Sequence, residues 1–331
     1  MDRSRLIVAL ALVLATGATL IGLVNIAIGS AKTPYASASS SFFTGASRGV
    51  ALIDISGIIE DGAYAPAGSD RIVQQLDDAL YDPLIQGVVL SINSPGGTVG
   101  ATKKIYNKVR EVQAKKHVVA IVSDIAASGG YYVASGADRI LAYPASLIGS
   151  IGVIMIRPDF SGFMDKYGIR MNALKAGRFK DMSYPFRDLT DEEKRLYQEM
   201  LDDSYEQFKA DVREGRKQSI DTVDRWAEGR IYSGKKAEQL QMIDDFGGLD
   251  EALAWIAKEE KLSPDDLEIY RPQKDLMDEL FGRGLLPGLL NHWFAGPVSL
   301  QHPSPVWYLF ADSPGFNRVV QSMPVFAGMN P

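Results

Sequence analysis

The chain has 331 residues, of which 46% are hydrophobic and 23% charged, proportions typical of a globular protein. Its formal net charge of −6, without a basic stripe, argues against nucleic-acid binding. The absence of cysteine excludes disulfides, thiolate metal sites and a cysteine nucleophile. The three histidines, His117, His292 and His302, do not have the spacing of zinc ligands.

The chain begins with a long apolar segment. Leu6–Ile28 contains 23 residues, whereas about 20 suffice to cross a bilayer and a cleavable signal usually has an apolar region of about 7–15. Arg3 and Arg5 precede the segment, so the positive-inside tendency predicts a cytoplasmic N-terminus. We therefore expect an uncleaved, single-pass anchor in the inner membrane with the rest of the chain on the periplasmic side, although Ala36–Ala38 resembles a cleavage site.

The globular part alternates strands with helices. Strands are predicted over Val50–Ile59 (as a strand pair or strand and turn), Gly87–Asn93 and Val118–Ser123, and helices over Asp70–Tyr81, Val99–Gln113 and Leu249–Lys261. This order predicts an α/β fold around a mostly parallel sheet. Thr190 and Glu193 form a capping box that predicts the start of another helix, after a less regular region over Arg157–Arg187.

Four segments are expected along the chain. They are a membrane anchor over 1–28, a flexible linker rich in Ser, Ala and Gly over 29–47, a catalytic domain over 48–262 and a tail over 263–331. Nine of the sixteen prolines lie after Ser263, so the tail is too interrupted for a second membrane-spanning helix. The sequence does not define the role of the tail.

Ser128 is the candidate nucleophile. It follows a predicted strand among small residues and precedes a helical run, where a hydroxyl can be exposed to a substrate backbone. The N–H of Gly129 is then free to stabilise an oxyanion. A second glycine turn, Asn93–Thr98, closes the preceding strand and could bind a phosphate or an oxyanion, or be only a tight turn. No Lys-Ser or Lys-Thr pair follows it, which excludes a nucleotide P-loop.

A serine nucleophile needs a base. His117 lies at the opposite end of the strand that leads to Ser128, roughly 20 Å or more away at about 3.3 Å per residue. A lysine can act instead where burial removes its charge. Lys180 is the candidate, with a solvated pairing to Asp181 as the competing interpretation. Ser233 and Lys236 match the Ser-x-x-Lys pattern of another serine enzyme class, but Ser233 is better explained as the N-cap of the helix that follows.

Several separate motifs together resemble the signal peptide peptidase A family, peptidase family S49, in its short single-copy bacterial form. The matching pieces, in family order, are Ser94-Pro-Gly-Gly, Ala127-Ser-Gly-Gly-Tyr-Tyr, Ile148-Gly-Ser-Ile-Gly-Val, Gly177-Arg-Phe-Lys-Asp, Gly229-Arg-Ile-Tyr-Ser-Gly and Asp245-Phe-Gly-Gly-Leu. The resemblance covers roughly Gly49 to Lys261. It implies a core of the Clp protease/crotonase-like type, built from ββα repeats, behind the membrane anchor.

The resemblance also implies a catalytic mechanism. Ser128 and Lys180 would form a Ser–Lys dyad, Ser150 would orient the lysine amine, and Gly97 and Gly129 would donate the oxyanion-hole N–H groups. No metal or organic cofactor is needed. Family members form oligomers, and in short forms a neighbouring subunit contributes the lysine, so the active site would be shared between subunits of a homo-oligomer.

We therefore expect a membrane-anchored serine endopeptidase that degrades cleaved signal peptides in or at the lipid bilayer. A related protease that cleaves stomatin-type proteins is an alternative within the same class. A crotonase-like acyl-CoA enzyme would instead need acidic catalytic residues and a soluble chain. A non-catalytic scaffold that retains the fold would leave Ser128 inert.

Overall fold

The computed structural model describes residues 48–63 and 65–271. The predicted anchor over 1–28, the linker over 29–47 and the tail from residue 272 onward lie outside these ranges. Within the described ranges, no helix combines the length and the apolar character needed to span a membrane.

The described chain alternates strands and helices along most of its length. The strands are β1 Gly49–Ser56, β2 Ile59–Glu60, β3 Ala67–Gly68, β4 Ile85–Ser94, β5 His117–Ala127, β6 Arg139–Ala142, β7 Leu147–Gly149, β8 Ile231–Ser233, β9 Asp245–Phe246 and β10 Glu268–Tyr270. The helices are α1 Ser69–Tyr81, α2 Val99–Gln113, α3 Gly129–Ser135, α4 Ser161–Lys166, α5 Asp191–Arg216, α6 Ile220–Trp226, α7 Gly234–Gln239 and α8 Leu249–Glu259, followed by a 3₁₀ turn at Pro264–Asp266.

Eight of these strands form one mixed sheet. Its main path runs β10-β1-β4-β5-β6-β9 with every neighbouring pair parallel. β7 pairs in parallel with β5, and β8 pairs antiparallel with β7. The short β2 and β3 pair with each other. The predicted α/β fold with a mostly parallel sheet is confirmed.

The central strands are apolar because they are covered on both faces, as parallel strands usually are. Val50, Leu52 and Val89 lie on the face beneath α8, where they pack against Ala252 and Ile256. The other face contacts α1 and α2. Complete burial of each large side chain in this cluster stabilises the fold by about 1.5–3 kcal/mol, which fixes the strand ends that carry the candidate site.

One strand is longer than predicted, and another was not predicted. β5 continues past Ser123 to Ala127 because its second half pairs with β7, with Ile125 opposite Leu147 and Ala127 opposite Gly149. β10 lies after residue 262, where we predicted that the domain ends, and pairs with β1 through Gly49 and Glu268. The sheet therefore includes residues after 262.

The predicted capping box at the start of α5 is confirmed. Thr190 Oγ1 accepts a hydrogen bond from the Glu193 N–H at 3.2 Å, and the Glu193 carboxylate accepts one from the Thr190 N–H at 2.9 Å. The predicted irregular region over Arg157–Arg187 contains only α4 as regular structure.

Candidate active site

Ser128 lies at the junction between β5 and α3 in an unusual backbone conformation. Its φ of 51° and ψ of −119° belong to a region that residues with a Cβ rarely adopt. The conformation is held by two hydrogen bonds, from the Ser128 N–H to the Gly149 carbonyl at 2.7 Å and from the Tyr132 N–H to the Ser128 carbonyl at 2.9 Å. Such strain costs about 1–3 kcal/mol and is concentrated at functional sites.

The Ser128 hydroxyl is buried without a partner. The residue is 2% exposed, and Oγ makes no hydrogen bond to the described part of the chain. An unsatisfied buried hydroxyl costs about 1–3 kcal/mol. The fold therefore maintains both an unfavourable backbone and an unfavourable side-chain environment at this one serine.

Two glycine turns meet beside Ser128. A Cβ placed on Gly129 would lie 3.2 Å from both the Gly96 Cα and the Gly97 nitrogen, so these backbones approach more closely than a side chain allows. Gly97 is itself bridged to Ile59, and a Cβ there would lie 1.8 Å from the Ile59 carbonyl oxygen. Both positions therefore require glycine.

The N–H groups of these two glycines are available to a ligand. The Ile59–Gly97 bridge uses the Ile59 N–H, which donates to Gly96, and the Thr98 N–H, which donates to Ile59, each at 2.9 Å. It leaves the Gly97 N–H without a backbone acceptor among the described residues. Gly129 is the first residue of α3, where an N–H has no partner within the helix. The role of these two N–H groups as oxyanion donors stays a prediction.

Ser150 lies next to Ser128 across the β5–β7 ladder. Ala127 is opposite Gly149, so the two serines follow directly at the end of each strand. Ser150 has the same φ of 51°, and its N–H donates to the Arg230 carbonyl at 2.7 Å. The structure thus brings Ser128, Ser150, Gly97 and Gly129 to one end of the sheet.

Lys180 is not brought to this group within a single chain. It is exposed, and Ser128 Oγ has no hydrogen-bond partner among the described residues, so the amine lies beyond hydrogen-bonding reach of the hydroxyl. The competing interpretation is right that Lys180 is solvated in the single chain, but its pairing of Lys180 with Asp181 is wrong. Asp181 is bound by Lys175 and by Arg187 instead.

Arg187 holds the carboxylates near Lys180 in their ionised form. Its guanidinium donates to Asp181 and to Glu193, and these bonds lower the pKa of Asp181 well below its usual range and the pKa of Glu193 to about 2. The pKa of Arg187 is raised in return by the same two partners, Glu193 first. All three groups are therefore charged at neutral pH.

The other predicted alternatives have structural explanations. His117 is the first residue of β5 and Ser128 follows the last, so the histidine lies at the far end of the strand, where its ring packs edge-on against Trp255. Ser233 accepts a hydrogen bond from the Lys236 N–H at 3.3 Å, which confirms it as the N-cap of α7. Neither residue lies in the group around Ser128.

Sequence reasoning missed Thr102, on the first turns of α2. Its side chain is completely buried, Oγ1 has no partner among the described residues, and a Cβ on Gly129 would lie 2.6 Å from that oxygen. The only signal in the sequence is a threonine one helical turn after the Gly-Gly turn, which also fits ordinary packing. The Thr102 side chain therefore occupies the space that a side chain at position 129 would need.

α3, which carries Gly129, is also fixed by α5. The Tyr132 ring stacks on Phe208 with ring centroids 4.3 Å apart, and the Tyr132 hydroxyl donates to the buried Asp211 carboxylate. Gly215 allows close contact, since a Cβ there would lie 2.1 Å from the Ser135 carbonyl oxygen. The helix that follows Ser128 is thus held by α5.

These groups are suited to acyl transfer. A strained serine with a free hydroxyl, two adjacent backbone N–H donors and a second hydroxyl nearby are the parts needed to attack a carbonyl and stabilise the resulting oxyanion. Residues 48–63 and 65–271 contain no group of three or more His, Asp or Glu side chains arranged to hold a metal ion.

Comparisons with known proteins agree with this geometry. Residues 110–263 match the model of peptidase family S49, and residues 56–148 match the Clp protease model. The second match covers the strands and turns that contain both glycine loops, as expected for the predicted Clp protease-like core.

Individual relatives point to the same family. A candidate protease of Synechocystis sp. is 33% identical over 228 residues, which cover 69% of this chain and 80% of that protein. A candidate protease of Methanocaldococcus jannaschii is 40% identical over 195 residues, 58% of this chain and 63% of the relative. The candidate signal peptide peptidase SppA of Enterococcus faecium is 32% identical over 223 residues, 65% of this chain and 64% of the relative.

Proposed function

Because the chain belongs to peptidase family S49, we propose that it is a serine endopeptidase in which Ser128 is the nucleophile. The observation that carries this proposal is the conformation of Ser128. Its φ of 51°, its buried hydroxyl without a partner and its position beside two glycine backbones have no structural benefit that offsets their cost.

The proposed reaction proceeds through an acyl-enzyme. Ser128 Oγ attacks the carbonyl carbon of the scissile peptide and its proton passes to a neutral lysine amine. The N–H groups of Gly97 and Gly129 stabilise the oxyanion, and removal of one such donor typically costs about 10²–10³ in kcat. The lysine then protonates the departing amine as the C–N bond breaks. The lysine, now neutral again, takes a proton from the water that attacks the ester and passes it to Ser128 Oγ as the ester C–O bond breaks.

Lys180 of a neighbouring copy is the proposed base. The family resemblance assigns the role to this position, and its exposure in the single chain supports donation to another subunit rather than to the Ser128 of its own chain. Ser150, next to Ser128 across the ladder, would orient the incoming amine and relay its proton. In this proposal the enzyme is active only as a homo-oligomer.

The surface around Lys180 supports such an assembly. Of the seventeen large apolar side chains that are exposed in the described structure, nine lie between residues 154 and 184. They are Ile154, Ile156, Phe160, Phe163, Tyr167, Ile169, Met171, Leu174 and Tyr184. A concentration of this kind marks an interaction surface, and the location of Lys180 within it favours a second copy as the partner.

The proposed substrates are cleaved signal peptides held in or at the bilayer. The predicted anchor over Leu6–Ile28 would bring the enzyme to the inner membrane with its catalytic domain on the periplasmic side. The name of the Enterococcus faecium relative, a candidate signal peptide peptidase, is consistent with this class of substrate. Cleavage of stomatin-type proteins is the alternative within the same family.

The nucleophile can be tested with a fluorophosphonate probe and a signal-peptide substrate. Wild type should be labelled and active, whereas Ser128→Ala should be unlabelled and both Ser128→Ala and Lys180→Ala should lose activity by several orders of magnitude. Ser233→Ala provides a matched control, since it removes a serine that caps a helix outside the site. Undiminished hydrolysis by Ser128→Ala or by Lys180→Ala would disprove the dyad.

The shared site can be tested by mixing subunits. Ser128→Ala chains retain Lys180, and Lys180→Ala chains retain Ser128. A mixture of the two should recover activity that neither has alone, because some interfaces then join an intact serine to an intact lysine. A mixture with no activity would show that the base is not supplied by a neighbouring chain. A stomatin-type peptide in the same assay distinguishes the two substrate classes.

A further inference from the structure

A buried carboxylate directly follows Lys180. Asp181 is only 7% exposed, although most residues around it are exposed. Its carboxylate accepts hydrogen bonds from Arg187 Nε at 3.1 Å and Arg187 Nη2 at 2.9 Å, and a further one from Lys175. In an otherwise irregular segment, the residue next to the proposed base is therefore anchored from two sides.

The same arginine continues the connection to a long helix. Arg187 Nη1 donates to Glu193 Oε2 at 2.8 Å and Nη2 donates to Glu193 Oε1 at 2.6 Å. Glu193 belongs to the first turn of α5 and is tied to Thr190 by the capping box. A guanidinium that forks between two carboxylates fixes orientation as well as distance, which a lysine cannot do.

α5 in turn is attached to the helix behind Ser128. It packs against α3 through the stacked Phe208 and Tyr132 rings and through the close approach of Gly215 to Ser135. The irregular segment that carries Lys180 is thus connected, through Asp181 and its partners, to the rigid core of the domain. Exposed ion pairs usually contribute little, but here both carboxylates are buried and the geometry is bidentate.

We propose that Asp181, Arg187 and Glu193 form a positioning triad that holds Lys180 in the geometry in which it is presented to the Ser128 of a second copy. This inference rests on the proposed function. The three residues do not touch substrate and act through the backbone at Lys180. Loss of the triad should therefore reduce kcat and leave KM nearly unchanged, because the base is displaced while the peptide-binding groups are intact.

The decisive experiment places the same substitution on either side of the shared site. Ser128→Ala chains supply the lysine in a mixed oligomer, and Lys180→Ala chains supply the serine. Asp181→Asn added to the Ser128→Ala chain should lower the recovered activity by about 10- to 100-fold, the effect of a displacement of about 1 Å. Added to the Lys180→Ala chain, it should change activity by less than about twofold, because that chain's own Lys180 position is not used.

Two results would overturn the proposal. Equal losses on both sides would mean that Asp181 supports the whole fold rather than the lysine, and no loss on the lysine side would mean that it positions nothing. Asp191→Asn is the matched control, since Asp191 lies in the same first turn of α5 and pairs with Lys194 at the surface. It should leave activity unchanged in either chain.

A second measurement does not depend on a shared site. Hydrogen–deuterium exchange of residues 177–184 in the full-length single variants should accelerate in Asp181→Asn and in Arg187→Lys, which keeps the charge and loses the fork. Unchanged exchange in both variants would contradict the triad. The mixture of Ser128→Ala and Lys180→Ala chains could be inactive while Asp181→Asn still accelerates exchange and lowers kcat. That combination would disprove the shared site but support the positioning of Lys180 by the triad.

Discussion

Replacement of Ser128 should make the protein more stable while it abolishes activity. Ser128→Ala removes a buried hydroxyl without a hydrogen-bond partner, a group that costs about 1–3 kcal/mol. Ser128→Gly additionally releases the strain of the φ of 51°, worth about 1–3 kcal/mol, against an entropic cost of about 0.4–1 kcal/mol for glycine in the unfolded chain. No capping bond is lost, because the Ser128 side chain makes none.

Ser128→Gly is therefore expected to be the most stable of the three proteins, Ser128→Ala the next and wild type the least stable. A separation of about 1 kcal/mol between successive proteins corresponds to about 2–4 °C in Tm. The measurement is thermal unfolding of the full chain in detergent, with the same protein concentration and detergent for each variant so that assembly contributes equally.

Ser135→Ala is the matched control for this series. Ser135 is also a buried serine, on α3, but its Oγ donates to the Tyr132 carbonyl at 2.7 Å. Its replacement should lower Tm, since a satisfied hydrogen bond is lost. A Ser128→Gly variant less stable than Ser128→Ala would refute the claim that the backbone at this serine is strained.

Three further predictions concern the surroundings of the site. Gly129→Ala should reduce kcat by about 10²–10³, since its Cβ would meet Thr102 Oγ1 at 2.6 Å and shift the proposed oxyanion donor. In the control Gly100→Ala, the added Cβ meets no atom within 4 Å, so this variant should retain activity and gain up to about 1 kcal/mol of stability. A Thr102→Ala substitution added to Gly129→Ala should restore part of the kcat, and strictly additive effects in this double-mutant cycle would contradict the contact. The pKa of Glu193 is lowered to about 2, mainly by Arg187, so its stabilising effect should be complete above its ordinary pKa and disappear as pH falls towards 2. The stability difference between wild type and Glu193→Gln should accordingly shrink between pH 6 and pH 3 in urea unfolding, and a difference independent of pH would contradict the assignment.

Most of the regular structure could be predicted from the sequence because the core is strongly patterned. The apolar spacing that predicts a helix over Asp70–Tyr81 gives the observed α1, which begins one residue earlier, and the alternation of strands and helices gives the parallel sheet. Local signals worked for the same reason: Thr190 and Glu193, or Ser233 and Lys236, interact over three residues, and such short-range bonds depend little on the rest of the fold.

What failed depended on distant parts of the chain. The second half of β5 was missed because Asp124 and the alanines after it do not look like a strand until β7 pairs with them. The competing interpretation paired Asp181 with the adjacent Lys180, whereas the structure pairs it with Lys175 and Arg187, each six residues away. A sequence suggests an ion pair between adjacent residues, but in the folded loop the partner is the cation whose side chain can reach the buried carboxylate.

The sequence supplies the residue types of the candidate site but not their conformations. Ser128 and the glycines Gly97 and Gly129 could be identified from motifs, since small residues at strand ends are visible in a sequence. The positive φ of Ser128 and the unpartnered hydroxyl of Thr102 are three-dimensional properties. A serine or a threonine occurs too commonly for its presence alone to reveal them.

The division of β5 between two neighbours has a consequence for changes in chain length. Val119–Val122 pairs with β6 and Ile125–Ala127 pairs with β7, while β4 runs along the opposite edge. A slip of one residue would exchange the two faces of the strand and would have to break all three ladders together. The fold should therefore not tolerate insertions or deletions in β5. The turn over 143–146, which joins β6 to β7, can vary in length provided that the Ser146 hydroxyl still reaches the Ser123 carbonyl.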